Sequence, residues 1–327
     1  MAILVTGGAG YIGSHCVAAL LAQGIDTVVI DDLSKGHVEA LKGGRFYQGN
    51  LNDRDFVNGV FDSEKIEAVI HFAAFSLVGE SVGNPGKYFT NNIGVSLSVL
   101  EAMAAHNVKH IIFSSTAATY GEPDKTPIEE TDPTVPTNPY GESKLAVEKI
   151  LRWFENAYGI RYCALRYFNV AGALPDGSIG EDHRPETHLI PIVLEAAAGK
   201  RPSVTVYGTD YPTPDGTCIR DYVHVCDLVD GHLKALDYLR AGGASAAFNL
   251  GIGKGFSVRE IIDAAKRVTK RDIPVVLGQR RAGDPAVLIA SGQKAMSVLG
   301  WKPCYTNVEA IIADAWRWHS GKGAYER

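Results

Sequence analysis

The chain has 327 residues, 46% of them hydrophobic and 21% charged, with 35 glycines and a net charge near -5. This is the balance of an ordinary globular protein, long enough for one large α/β domain or two fused ones, and it leaves no basic footprint for nucleic acid or an anionic membrane surface. No apolar run approaches ~20 residues and no basic segment precedes the first one, so neither a membrane span nor a signal peptide is expected.

Residues 2–5 form an apolar strand pattern that runs into Gly7-Gly8-Ala9-Gly10-Tyr11-Ile12-Gly13, followed by a helical pattern over 15–23. The G-x-x-G-x-x-G spacing suits a tight turn at Gly7, close approach of the backbone to a pyrophosphate near Gly10, and close helix packing at Gly13, with the helix N-terminus facing the phosphates. A second strand over 27–30 ends in Asp31-Asp32. An acid at that offset accepts hydrogen bonds from the adenosine ribose and repels a 2′-phosphate, so NAD is expected over NADP.

Strands and helices then alternate: strand 45–48, helix 54–61, strand 68–72, helix 85–106, strand 110–113, a helix opening at Tyr140, and strand 161–165. That rhythm predicts a doubly wound parallel sheet of the Rossmann type, with ligands at the carboxyl ends of its strands. Those ends carry Asn50-Leu51, Phe72-Ala73-Ala74, Ser114-Ser115-Thr116 and Tyr167-Phe168-Asn169. The stretch Asn138-Pro139-Tyr140-Gly141-Glu142-Ser143-Lys144 sets a tyrosine and a lysine one helical turn apart, on one face. An ammonium beside a phenol favours the phenolate. A shift of roughly three pKa units corresponds to about 4 kcal/mol, which one desolvated cation helped by a cationic nicotinamide can supply.

After residue 166 proline and glycine become frequent and the elements shorten, which predicts a smaller second lobe. It is read with a helix over 187–199, strands over 222–225 and 247–250, helices over 227–240 and 258–269, and a last helix over 308–320 whose Trp316 and Trp318 are packing residues. Arg220, Arg280 and Arg281 are candidates for phosphate capture by a bidentate fork. The five cysteines, Cys16, Cys163, Cys218, Cys226 and Cys304, are odd in number and never in C-x-x-C spacing, which points to reduced thiols in a cytoplasmic protein. His106 and His110 flank a helix end without acidic or thiol company, and no metal site is expected.

With the glycine fingerprint, the Ser-Ser-Thr strand end and the Tyr140/Lys144 pair, the chain resembles the extended short-chain dehydrogenase/reductase family, and within it the nucleotide-sugar 4-epimerases. The residues that narrow it are Val78-Gly79-Glu80-Ser81, Asn91-Asn92, the run from Arg166 to Gly172, and the run from Tyr211 to Val225. The resemblance implies reversible C4 epimerisation of UDP-glucose and UDP-galactose through a 4-keto sugar with bound NAD. It makes Tyr140 the base, Lys144 its tuner and Thr116 the hydroxyl partner of the sugar. It assigns to the cofactor Gly7, Gly10, Tyr11, Ile12, Gly13, Asp31, Asp32, Asn50, Leu51, Phe72, Ala73, Ala74, Asn91, Ser114, Tyr140, Lys144 and Tyr167. To the UDP-hexose it assigns Thr116, Tyr140, Asn169, His188, Leu189, Tyr207, Arg220, Tyr222, Arg281, Asp284 and Val287.

The resemblance further implies an NAD-binding unit over 1–166, joined by 220–250, a UDP-sugar lobe over 167–219 and 251–327, and a homodimer joined through helices at 89–105 and 145–154. Thr116 stands where serine is usual, Ser76 where a lysine often lies near the cofactor, and Asn50 where an aspartate often meets adenine. A 4,6-dehydratase or a decarboxylase of the same family is the alternative, but both need carboxylates after the hydroxyl strand end, where this chain has Ala117 and Ala118. A non-catalytic NAD sensor would need neither Tyr140 nor Lys144. Val287 is expected to lie against the sugar C2 substituent, where a small residue admits an acetamido group.

Overall fold

The structure, a computed structural model, describes residues 1–281 and 284–325; the Ala282-Gly283 pair of the arginine-led loop lies outside the described residues. The first half runs β1 (Ala2–Thr6), α1 (Tyr11–Ala22), β2 (Thr27–Asp31), β3 (Arg45–Gln48), α2 (Arg54–Ser63), β4 (Ile66–His71), α3 (Val78–Gly83), α4 (Pro85–Tyr88), α5 (Gly94–Ala105), β5 (His110–Thr116), α6 (Pro139–Tyr158) and β6 (Arg161–Tyr167). The second half runs β7 (Asn169–Ala171), α7 (Leu189–Ala197), β8 (Val204–Tyr207), β9 (Ile219–His224), α8 (Val225–Arg240), β10 (Ala246–Leu250), β11 (Gly255–Ser257), α9 (Val258–Thr269), β12 (Val275–Gly278), β13 (Val287–Leu288) and α10 (Val308–Ser320).

Seven strands form one sheet in the order β10-β6-β5-β4-β1-β2-β3, every neighbouring pair parallel. Successive side chains of a strand face opposite sides. Along β1, Ile3 and Val5 enter a core with Val17 and Leu20 of α1 and Leu228 and Leu236 of α8, while Ala2 and Leu4 enter a second core with Val57 of α2, Val99 of α5 and Leu151 of α6. Both faces are thus covered by helices, as an all-parallel sheet requires, and the doubly wound expectation holds. Helix α8 and strand β10 stand on this sheet. Pairing with β6 in register from Ala246↔Cys163 to Leu250↔Tyr167 is a long-range event that no local spacing records.

A smaller set of strands, β11-β9-β13 with β7 pairing β9, lies with α7, α9 and α10 around a third core. The two-stranded β12-β8 ribbon completes the described elements of this lobe. Trp318 is fully buried and Trp316 packs on the third core, so both tryptophans of α10 pack as expected. The cysteines are all free, and among the described residues no helix is long and apolar enough to cross a membrane.

The helix expected over 85–106 is not uniform. Between α4 and α5 the backbone widens into a π-helical turn over Phe89–Ile93, a local irregularity that tends to accompany functional sites. It turns Asn92 inward, where its amide donates to Phe75 O and to Ser143 Oγ, both at 3.0 Å.

Candidate active site

Strands β1 and β4 are sheet neighbours although β2 and β3 lie on the other side of β1, so the strand order reverses between them. A cavity of about 1250 Å³ opens at that point, beyond the carboxyl ends of the strands, where an open α/β sheet holds its ligands.

Local sequence sets the position of α6 on its rim. Asn138 caps the helix, its Oδ1 accepting from Gly141 N at 2.9 Å, Pro139 takes the first turn, and Gly159 ends it in a left-handed conformation. A cap of this kind is worth about 1 kcal/mol. Tyr140 and Lys144 then point into the cavity together with Thr116 from the end of β5. The Thr116 hydroxyl stands beside the Tyr140 phenol, and its Oγ1 accepts from Ala118 N at 3.1 Å. Lys144 Nζ donates to Ser114 O at 2.8 Å and lies 4.9 Å from the centre of the Phe113 ring. Ser114 Oγ is in turn hydrogen-bonded to the Tyr167 hydroxyl.

Burial dominates the electrostatics here. It raises the Tyr140 phenol above its ordinary value, opposed by the neighbouring Thr116 hydroxyl, and it pulls the Lys144 amine down to about 7. In this dry pocket desolvation favours the neutral form of both groups, while the fold keeps the Lys144 amine one helical turn from the Tyr140 phenol on the same face.

The cofactor half of the cavity is lined by Gly7, Gly10, Tyr11, Ile12, Gly13, Asp31, Asp32, Asn50, Leu51, Phe72, Ala73, Ala74, Asn91, Ser114 and Tyr167, together with Ser76. Whether these residues suit a dinucleotide is decided by the glycine turn. Gly7 has φ +69°, and a Cβ on Gly13 would stand 2.1 Å from Gly7 O, so no side chain fits where α1 packs against the turn. Gly10 caps α1 without any side-chain hydrogen bond, so the first N–H groups of the helix are left for an anion. Asp31 accepts from Ala9 N at 3.0 Å and Leu33 N at 2.8 Å, and its second lone pairs remain on the cavity wall. Burial raises its carboxyl, with the Leu33 and Ala9 hydrogen bonds opposing. The residues present fit NAD.

Asn169, His188, Tyr207, Arg220, Arg281 and Asp284 line the other half. Arg220 is paired with Asp284, and Arg281 lies 4.1 Å above the Tyr207 ring. Arg280 points elsewhere, bonded through Nε to Asp210 Oδ1 at 2.6 Å. Leu189, Tyr222 and Val287 do not line the cavity. Leu189 and Tyr222 pack into the third core. Val287 loses its place to strand alternation: β13 pairs with β9 as Val287↔Ile219 and Leu288↔Arg220, and Leu288 is the one on the cavity wall beside Arg220.

The sequence reading missed Leu288 and the wall formed by Glu181, His183, Glu186 and Arg201. The signal for the first three was the Glu-x-His-x-x-Glu-x-His spacing ending at His188. Glu181 would be raised by its burial, but His188 and His183 outweigh that and hold it below the usual carboxylate range. Ala117 and Ala118 also line the cavity, so methyl groups stand where an elimination would need proton carriers.

Comparison with known proteins narrows this geometry. The model of the NAD dependent epimerase/dehydratase family matches residues 3–251. The UDP-glucose 4-epimerase of Lacticaseibacillus casei is 60% identical over 320 residues, 98% of this chain and 97% of its own. The UDP-glucose 4-epimerase of Bifidobacterium longum, solved in complex with NAD+ and UDP, superposes with a TM-score of 0.93 at 39% identity over 99% of both chains. The UDP-Glc/GlcNAc 4-epimerase of Campylobacter jejuni superposes with a TM-score of 0.86 at 45% identity, over 97% of this chain and 98% of its own.

Proposed function

This chain belongs to the NAD dependent epimerase/dehydratase family, and we propose that Tyr140, Lys144 and Thr116 carry its reaction. That reaction is the reversible C4 epimerisation of UDP-glucose and UDP-galactose, with NAD as cofactor. Bound NAD supplies the acceptor, and on return the donor, of the C4 hydride, so there is no net redox change.

Tyr140 takes the proton of the sugar 4-hydroxyl and returns it to the 4-oxygen once the keto sugar has presented its other face. Thr116 hydrogen-bonds the same hydroxyl and opposes the burial that raises the Tyr140 phenol. Lys144 fixes the site by its bond to Ser114 O and adds positive charge one turn from the base. Asn169, Arg220 and Arg281 hold the diphosphate, Asp284 the uridine ribose, and Tyr207 and His188 the remaining wall. Residues 1–166, joined by α8 and β10 from the 220–250 stretch, form the cofactor unit, while β9 stays with the sugar-nucleotide lobe of 167–219 and 251–327. The observation that carries this reading is the meeting of Tyr140, Lys144 and Thr116 at the sheet's switch point, with Ala117 and Ala118 where a dehydratase or decarboxylase needs acids. Incubating the purified protein with UDP-galactose, without added cofactor, should yield UDP-glucose; a 4-keto-6-deoxy sugar would overturn it.

Three finer points belong to this proposal. Asp31 on the ribose side of the glycine turn favours NAD over NADP, and equal affinities of the apo-protein for both would refute that. Leu288 beside Arg220 lacks the phenol ring that would crowd an acetamido group, so the enzyme also interconverts the UDP-N-acetylhexosamines. The enzyme works as a cytoplasmic homodimer. Reduced buried thiols at Cys16, Cys163 and Cys218 support the compartment, and exposed Phe89 and Trp153 on the faces of the π-turn and α6 support the dimer. Light scattering at micromolar concentration should return twice the chain mass of 35.1 kDa.

A further inference from the structure

Four side chains of one short segment bring metal-ligating atoms to a single point on the cavity wall. One donor atom each from Glu181, His183, Glu186 and His188 lies within 4.8 Å of all the others. Both imidazoles address the same carboxylate oxygen, His183 Nδ1 at 2.9 Å and His188 Nδ1 at 2.8 Å from Glu181 Oε1. Glu186 Oε1 is already engaged by the N–H groups of Thr187 at 2.6 Å and His188 at 2.8 Å. That leaves Glu186 Oε2, 4.0 Å from His183 Nδ1, free to turn inward.

From this convergence we infer that Glu181, His183, Glu186 and His188 bind one first-row divalent cation of the zinc class. Two imidazole nitrogens and two carboxylate oxygens, with no thiolate, are a ligand set for Zn²⁺ and its neighbours and a poor one for Mg²⁺ or Cu(I). Tetrahedral zinc sits about 2.0–2.2 Å from nitrogen and oxygen ligands, which sets ligand atoms about 3.4 Å apart. The short contacts here must open by about half an ångström and the longest separation close by up to about 1.4 Å, a movement within reach of rotamer adjustment. The charge also balances: two carboxylates offset a divalent ion once both imidazoles have given up their protons, as ligation requires.

The segment is held before any ion arrives. Trp318 Nε1 donates to Glu181 O at 3.0 Å, and the Tyr325 hydroxyl is bonded to Gly180 N at 3.2 Å. All four side chains line the cavity, so an ion can enter from solvent through it. Nothing in this assignment depends on the sugar reading, and the test uses metal alone.

The NAD-loaded protein, carrying Cys304→Ser to remove its exposed thiol, is stripped with chelator and titrated calorimetrically with ZnCl₂, MnCl₂ and MgCl₂ without nucleotide sugar. One Zn²⁺ per chain is expected, with weaker Mn²⁺ and no Mg²⁺ uptake. His183→Ala with Glu186→Gln should weaken Zn²⁺ at least about a hundredfold, whereas His106→Ala, on a distant helix end, should leave it unchanged. As a reading on the intact site, the Co²⁺ form should show the intense visible bands of a four-coordinate ion. No saturable zinc uptake, uptake indifferent to the paired substitution, or a weak six-coordinate cobalt spectrum would each overturn the assignment.

Discussion

Glu148 of α6 and Arg166 of β6 are joined by a buried two-pronged ion pair, Arg166 Nε 2.9 Å from Oε1 and Nη2 2.5 Å from Oε2. Ser115 Oγ of β5 donates to the same Oε1 at 2.6 Å, and Arg166 also donates to the Tyr120 hydroxyl at 2.9 Å. Glu148 stands one turn beyond Lys144 and two beyond Tyr140 on α6, so the pair fastens the reactive face of that helix to the two strands below it.

Breaking that pair on one side should be costly. Glu148→Gln leaves the Arg166 guanidinium buried with a neutral partner, and removing one member of a buried pair typically costs about 3–5 kcal/mol. Urea unfolding measures this directly. Replacing both residues by leucine and methionine should recover most of the loss, because no unpaired charge is then buried. A Glu148→Gln protein as stable as the parent would show that the pair does not hold α6.

Tyr140→Phe should keep its fold and NAD binding while turnover falls at least about a hundredfold, the usual scale of general acid-base catalysis. A loss below tenfold would remove Tyr140 as the base. Lys144→Met should shift the pH dependence of the residual activity to higher pH, since the phenolate loses a neighbouring cation. An unchanged pH profile would contradict that role.

Leu288→Tyr should lower kcat/KM for the UDP-N-acetylhexosamines relative to the unsubstituted pair by about tenfold or more, because overpacking a filled site costs about 1–3 kcal/mol. Val287→Tyr, on the other side of β13, should leave that ratio unchanged. If the two substitutions exchange these effects, the strand is read in the wrong phase.

Acid should destabilise the protein well above the carboxylate range. Burial pulls His71 and His224 down to about 3, with nearby Lys144 and His15 respectively adding to the effect, and it pulls His15 and His232 down to about 4. The unfolded chain takes up these protons near pH 6.5, while the folded chain refuses them until about pH 3 to 4. The contribution of these four imidazoles is therefore complete above about pH 7 and is lost as pH falls from 6.5, by up to about 1.4 kcal/mol per pH unit for each. Urea midpoints that stay level from pH 8 to pH 5 would contradict this account.

What the sequence determined by itself was everything carried by short spacings. The Gly7-Gly10-Gly13 turn, the acid ending β2, and the Tyr140/Lys144 pair behind the Asn138-Pro139 start are contacts between residues within one or two turns of each other, so backbone geometry forces them. The alternation of apolar strands with amphipathic helices marked the parallel sheet for the same reason.

Tertiary structure alone decided the rest. Strand β10 joins β6 across about eighty positions, as Ala246↔Cys163 shows, and the return of α8 with it fills one face of the sheet. The pairing of β13 with β9 put Leu288 and not Val287 on the cavity wall, since a one-residue phase reverses every side chain of a strand. The convergence of Glu181, His183, Glu186 and His188 follows from an irregular segment fastened by Trp318 and Tyr325. Irregular backbone has no period, and only the packing around it fixes where its side chains meet.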